Sequence, residues 1–274
     1  MRFLSTRRKH PAAKPLVLLL ALFLMGAAYS VVSPAQTSVA DTNTNPQVVQ
    51  GKALFDVTCS SCHGRSAEGL VDADGGTLGP SLIGVGAAAV DFQMGTQRMP
   101  MAKPAAQAPR GSAPKYSQAE INAIAAYVAS LGQGPGIPSE DKYSTAGLSD
   151  EEIARGGELF RTNCSACHNI EGRGGALPSG AYAPSLMGVS GKHIYEALRT
   201  GPQQMPLFSE GALPDEDVQQ IIGYLQKNEQ QPNYGGLALG GVGPVAEGFW
   251  GWLVGVGSLV LVAMWLAKKG ARAR

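Results

Sequence analysis

The sequence predicts a mainly α-helical chain: two small, homologous domains in tandem, tied to a membrane by apolar segments near its ends. Three observations carry this expectation. A five-residue run occurs twice, as Cys59-Ser60-Ser61-Cys62-His63 and Cys164-Ser165-Ala166-Cys167-His168. The segments flanking the two runs recur in the same order, the mark of an internal duplication. An uncharged apolar stretch of 19 residues, 249–267, is long enough to span a bilayer.

Residues 1–40 read as an N-terminal signal peptide or membrane anchor. Arg2, Arg7, Arg8, Lys9 and Lys14 precede 17 uncharged, largely apolar residues, 16–32. That length lies between a signal-peptide core and a spanning helix. Ser38-Val39-Ala40 offers small residues suited to a cleavage site, so a cleaved signal and a retained anchor both stand. Either one sends the following chain across the membrane, because the positive end stays inside. Residues 41–47 form a polar tether, and the first domain runs over 48–131.

A turn-rich linker, 132–147, separates it from the second domain, 148–230. Ser149 and Glu152 there have the spacing of a capping box at a helix start. Residues 233–244 form a Gly-rich hinge. The stretch 249–267 carries Trp250, Trp252 and Trp265 near its ends and is followed by Lys268-Lys269. These features predict a transmembrane helix with a cytoplasmic basic tail, 268–274.

The net charge of +1 conceals an asymmetry. Nine basic residues lie in 1–14 and 268–274, leaving 13 basic against 21 acidic residues between them. Cations at the two ends argue for membrane topology and against nucleic-acid binding. Gly at 36 and Pro at 18 suit loop-rich domains that pack around a prosthetic group, which supplies core that short domains lack.

The repeat extends well beyond the cysteines. Gly51, Leu54 and Phe55 match Gly156, Leu159 and Phe160, each set at the same distance before its first cysteine. Gly79-Pro80-Ser81-Leu82 matches Ala183-Pro184-Ser185-Leu186, and the Met-Pro pairs Met99-Pro100 and Met205-Pro206 align. The last helical stretches, 117–128 and 214–225, also correspond.

All four cysteines fall in the two Cys-x-x-Cys-His runs. Thiols one helical turn apart can form thioethers to both vinyl groups of one porphyrin, and the adjacent His reaches the iron. The reading is therefore covalent haem c at Cys59, Cys62, Cys164 and Cys167, with His63 and His168 as axial ligands. A zinc site would need the two halves to pool four ligands. A thioredoxin-like site would need a βαβ setting, and a two-residue gap makes a poor disulfide staple. Met99 and Met205 stand 40 and 41 residues after the first cysteine of their run, and a thioether sulfur suits iron opposite His. Met94 and Met101 are rivals in the first half and Met187 in the second. His193 has no counterpart in the first half and reads as a surface or supporting residue.

These residues resemble two tandem class I cytochrome c domains. The resemblance implies that a first helix ending at the Cys-x-x-Cys-His run crosses a last helix, at Gly51, Phe55 and Tyr127 and again at Gly156, Phe160 and Tyr224. It also implies that Pro80 packs near the proximal His63, with Ala183 a departure from the Gly79 pattern.

The whole architecture resembles the dihaem cytochrome cc subunit of the actinobacterial cytochrome bc menaquinol-oxidising complex. That resemblance implies an electron-transfer subunit of a quinol–cytochrome c reductase in the cell membrane, with its haem domains on the extracytoplasmic face. It implies cytochrome b, the Rieske iron–sulfur protein and a terminal haem–copper oxidase as partners, with no substrate chemistry of its own. The alternatives are a dihaem subunit of a terminal oxidase, a dihaem peroxidase with one open iron, and a colourless zinc or disulfide adhesion module.

Overall fold

A computed structural model describes residues 13–32, 45–105, 107–231 and 244–272. The expected cleavage site at 38–40, the tether up to 44, the hinge over 233–243 and most of the basic n-region lie outside the described residues. The chain divides into two units, Met1–Asn45 and Pro46–Arg274. The first contains α1, Ala13–Val32, a 20-residue helix that holds the expected apolar run.

In the second unit the duplication is visible element by element. The first half runs α2 (Pro46–Thr58), α3 (Ser60–His63), an antiparallel hairpin of β1 (Leu70–Val71) and β2 (Thr77–Gly79), α4 (Gly86–Gly95) and α5 (Gln118–Ser130). The second half repeats it as α6 (Asp150–Asn163), α7 (Ser165–His168), the hairpin β3 (Gly175–Ala176) and β4 (Tyr182–Ala183), α8 (Gly191–Thr200) and α9 (Asp215–Gln230). The chain closes with α10, Pro244–Arg272.

Local chemistry sets the helix starts. Ser149 and Glu152 form the expected capping box, with Glu152 N donating to Ser149 Oγ at 3.2 Å and Ser149 N to Glu152 Oε2 at 2.7 Å. Ser117 and Glu120 form a second one at α5. Helix α9 instead opens with Asp215, Glu216 and Asp217, anions that complement the positive end of the helix dipole.

Each half buries its own core. Phe55, Ile121, Ile124 and Val128 gather in the first, and Phe160, Val218, Ile221, Ile222 and Leu225 in the second. On α5 and α9 these residues recur at three- and four-residue spacing, one face of a helix. The crossings of α2 on α5 and of α6 on α9 close the two cores.

The backbone repeats as faithfully as the side chains. Positive φ occurs at Gly64 and Asn169, at Ala67 and Gly172, and at Gln97 and Gln203, which are equivalent positions in the two halves. The left-handed turns that follow each Cys-x-x-Cys-His run are thus the same turns, one built with glycine where its copy uses Ala or Asn.

Three details refine the expectations. The 132–147 linker is hydrogen-bonded to both halves. Ala88 N donates to Pro135 O at 3.1 Å on the first half, and Thr145 Oγ1 donates to Gln226 Oε1 at 2.9 Å on the second. Its glycines and prolines let the backbone lie flat on both domains. His193 is half-buried rather than on the surface, because α8 packs on α4 of the other half and sets the imidazole edge-on to Phe92, 6.2 Å between centroids. Helix α10 extends beyond 249–267 at both ends, taking in Pro244 from the expected hinge. Helical hydrogen bonding continues past the apolar boundary, and proline is tolerated in a first turn.

Candidate haem sites

The crossings place the two Cys-x-x-Cys-His turns. A Cβ on Gly51 would lie 1.9 Å from Ala123 O, and one on Gly156 would lie 1.9 Å from Gln220 O. Only glycine lets the helices approach so closely. Beside each contact an aromatic pair locks the angle: Phe55 on Tyr127 with centroids 5.1 Å apart, Phe160 on Tyr224 at 5.6 Å. The six crossing residues implied by the resemblance therefore meet as expected.

From each crossing the first helix continues into the haem motif. Cys59 N donates to Phe55 O at 2.8 Å and His63 N to Cys59 O at 3.0 Å; Cys164 N and His168 N do the same at 2.8 and 2.9 Å. One turn of helix thus holds both sulfurs and the imidazole. None of the four cysteines is in a disulfide, so all are available for thioether attachment. Cys59 packs against the first core and Cys164 against the second. Burial raises the Cys59 pKa and pushes Cys164 up to about 11, so these sulfurs sit where only an uncharged species is stable. A thioether, being uncharged, suits this burial. Among the described residues neither motif enters a cluster of three or more metal-ligating side chains.

The two histidines are each 9% exposed. His63 Nδ1 lies 2.7 Å from Pro80 O, and His168 Nδ1 lies 2.9 Å from Pro184 O. A carbonyl only accepts, so Nδ1 must carry the proton and Nε2 presents its lone pair. Burial lowers the His168 pKa against the opposing hydrogen bond to Pro184, which favours the neutral, ligating form. The expected packing of Pro80 near His63 is thus a hydrogen bond, and the same bond recurs in the second half.

The hairpins explain the departure at Ala183. In the first half a Cβ on Gly79 would come within 2.6 Å of Cys62 O, so β2 needs glycine there. In the second half it is Gly175 on the partner strand β3, paired with Ala183, whose Cβ would come within 2.9 Å of Cys167 O. The close approach is conserved and the glycine has changed strands.

Met99 and Met205 lie on the segments leaving α4 and α8, partly buried against the first and second cores. Met99 N donates to Gln93 O, and Met205 N donates to Pro202 O, both at 3.0 Å. The rivals are placed differently. Met94 is inside the first core on α4, and Met187 flanks the second core on the loop after β4. The Met205 loop has an anchor that the sequence did not suggest. Arg199 Nη1 donates to Phe208 O and Leu213 O at 3.0 and 2.9 Å, and its Nη2 donates to Asp215 at 2.7 Å. Arginine inside a helical pattern gave no signal of this role. With paired thiols, a tautomer-fixed imidazole and a methionine in each half, the residues present fit haem c.

Helix α10 contains a segment, Glu247–Gly270, long and apolar enough to cross a membrane, and its side chains are exposed along that length.

Comparison with known proteins agrees with these sites. Residues 48–132 match the family model for cytochrome c, and residues 151–225 match that of cytochrome C oxidase, cbb3-type, subunit III. Both halves are cytochrome c domains, and the chain carries covalently bound haem c. The cytochrome bc1 complex cytochrome c subunit of Corynebacterium diphtheriae is 43% identical over 277 residues, covering 96% of each chain. The protein of the same name from Mycobacterium tuberculosis is 42% identical over 256 residues, covering 92% of this chain and 89% of its own length. The cbb3-type oxidase subunit CcoP of Rhodobacter capsulatus is 36% identical over 86 residues, 31% of this chain and 29% of its own length.

Proposed function

This chain belongs to the family of cytochrome bc1 complex cytochrome c subunits, and we propose that it is the membrane-anchored dihaem electron carrier of a menaquinol-oxidising cytochrome bc complex. It takes electrons from the Rieske iron–sulfur subunit, sits with cytochrome b in one assembly, and passes them to a terminal haem–copper oxidase. The observation that carries this reading is a relative of that name aligned over 96% of both chains.

In this reading Cys59 and Cys62 hold one haem, and Cys164 and Cys167 the other. His63 with Met99, and His168 with Met205, ligate the irons. Haem c, when bound, supplies a one-electron ferric–ferrous couple. The chain's own residues make that couple useful. Pro80 and Pro184 hold each imidazole in one tautomer, Met99 and Met205 would offer thioether sulfurs to the irons, and the buried cores exclude water. With a methionine sulfur on each iron, no position would be left for peroxide, and electrons would pass without bonds being made or broken. The cations at the two chain ends keep those ends inside, which sets the haem domains on the extracytoplasmic face. Helix α10 then keeps the carrier close to its partners at high effective concentration.

A dihaem oxidase subunit is the second reading. It rests on the subunit III match over 151–225 and on a relative covering 31% of this chain. The near-full-length relatives favour the first.

The test uses the tagged full-length chain purified from its native membranes in mild detergent. A menaquinol analogue is added with and without a quinol-site inhibitor, and the b- and c-haem bands are followed. Inhibitor-sensitive reduction of haem c beside co-purified haem b is expected. Haem c without haem b, unreduced by quinol, would overturn the complex and leave a dihaem carrier of another pathway.

A further inference from the structure

A cluster of ligand-bearing side chains lies outside both haem sites, where α4 of the first domain meets α8 of the second. Helix α4 supplies Asp91, and α8 supplies His193 and Glu196, with their ligand atoms all within 4.8 Å of one another. Asp91 is 1% exposed and Glu196 is fully buried at 0%.

Asp91 is provided for. Gln118 Nε2 donates to its Oδ1 at 2.7 Å, and Lys192 pairs with its Oδ2. Glu196 is not: no donor reaches either of its oxygens among the described residues, and the polar group it meets is the carboxyl of Asp91. One ammonium cannot balance two buried carboxylates, and an uncompensated buried charge is strongly destabilising. The second carboxylate needs either a proton or a cation.

We propose that Asp91, His193 and Glu196 form a divalent transition-metal site, taking Zn²⁺ or an ion of that class, that bridges the two haem domains. One imidazole and two carboxylates are donors zinc accepts, with a fourth position left for water. Calcium would need six to eight oxygens, which this cluster does not have. The imidazole is ready to ligate. Burial lowers its pKa, Asp91 opposes this, and Lys192, Arg110 and Arg98 lower it further, which favours the neutral form. Burial and the neighbouring Asp91 raise the Glu196 pKa to about 9, so the ion must displace one proton from it. It must also displace the Lys192 ammonium from Asp91, and that side chain, 26% exposed, has a path to water. The ligands come from both domains, so the ion would cross-link α4 to α8. The proposal rests on these residues alone and stands or falls separately from the electron-transfer partners.

The experiment uses the full-length, haem-loaded protein in detergent. It is stripped with chelator, dialysed against Zn²⁺ alone or Ca²⁺ alone, and counted for metal against haem iron. One zinc per two haem irons is expected, with no calcium retained. Glu196→Gln copies the protonated side chain, so it should keep both haem spectra and lose zinc affinity by about 100-fold, and H193Q should do likewise. Wild-type protein that takes no zinc would overturn the proposal. So would zinc retained unchanged in both variants, or calcium held equally well. In the first case, a protonated-carboxyl infrared band lost in E196Q would assign the cluster to a shared proton instead.

Discussion

In the proposed arrangement one loop must hold the Met205 sulfur at its iron, and Arg199 anchors that loop. Its guanidinium ties Phe208 and Leu213, just beyond Met205, to Asp215 at the start of α9. Replacing Met205 with Ala should lower one of the two haem potentials, by an appreciable fraction of the ~0.8 V range that axial ligands span, and leave the other in place. A redox titration of the intact protein reads this directly, and an unchanged curve would transfer the role to Met187. Asp215→Ala should act on the same loop from behind. Arg199 is 8% exposed, so losing its carboxylate costs about 3–5 kcal/mol and loosens Met205 ligation. Denaturant unfolding measures the first effect, and the methionine–iron charge-transfer band the second. Burial alone would raise the Asp215 pKa, but hydrogen bonds from Lys142, Tyr195 and Arg199 outweigh it and hold it at about 2. A depressed folded pKa means that this stabilisation is complete above the unfolded value near ~3.9 and is lost as pH falls through 2. The wild-type second domain should therefore keep its methionine band at pH 4 and lose it only in stronger acid. The two Cys-x-x-Cys-His turns were legible in the sequence because each is a local run that one helical turn brings together. His193 and Arg199 were not, because their partners come from elsewhere in the chain.

At the scale of elements, each domain depends on a helix crossing with no spare room. Gly156→Ala would put a methyl 1.9 Å from Gln220 O, and neither backbone can yield without opening the Phe160–Tyr224 pair. Overpacking of this kind costs about 1–3 kcal/mol or more, and we expect the upper end here. The expected outcome is a second domain that unfolds at lower denaturant than the first and loads less haem, seen as a fall from two haems per chain toward one. Ala183→Gly should be nearly neutral, because Gly175 already provides the close approach to Cys167. The crossings could be anticipated because their glycines and aromatics repeat at fixed distances from the cysteines. The hairpins could not, since two- and three-residue strands carry no periodicity. The glycine that moved from β2 to β3 reads, on sequence alone, as a loss rather than as a transfer across a strand pair.

For the whole molecule, the two domains behave as one body rather than as beads on a linker. Helices α4 and α8 pack together, Gln107 bridges to the backbone of Tyr182, and residues 132–147 lie along both domains. This arrangement fixes the relation of the two Cys-x-x-Cys-His turns. Helix α10 should then be separable from folding. Its side chains are exposed, and neither domain core contains a residue of it. Deleting 249–274 should leave two haems per chain and unchanged spectra while most of the protein is lost from the purified respiratory assembly. Haem staining and co-purification of haem b measure the two effects independently. Loss of haem from the truncated chain would give α10 a role in folding. Full retention without it would mean that contacts of the haem domains, or the N-terminal segment, hold the carrier in place.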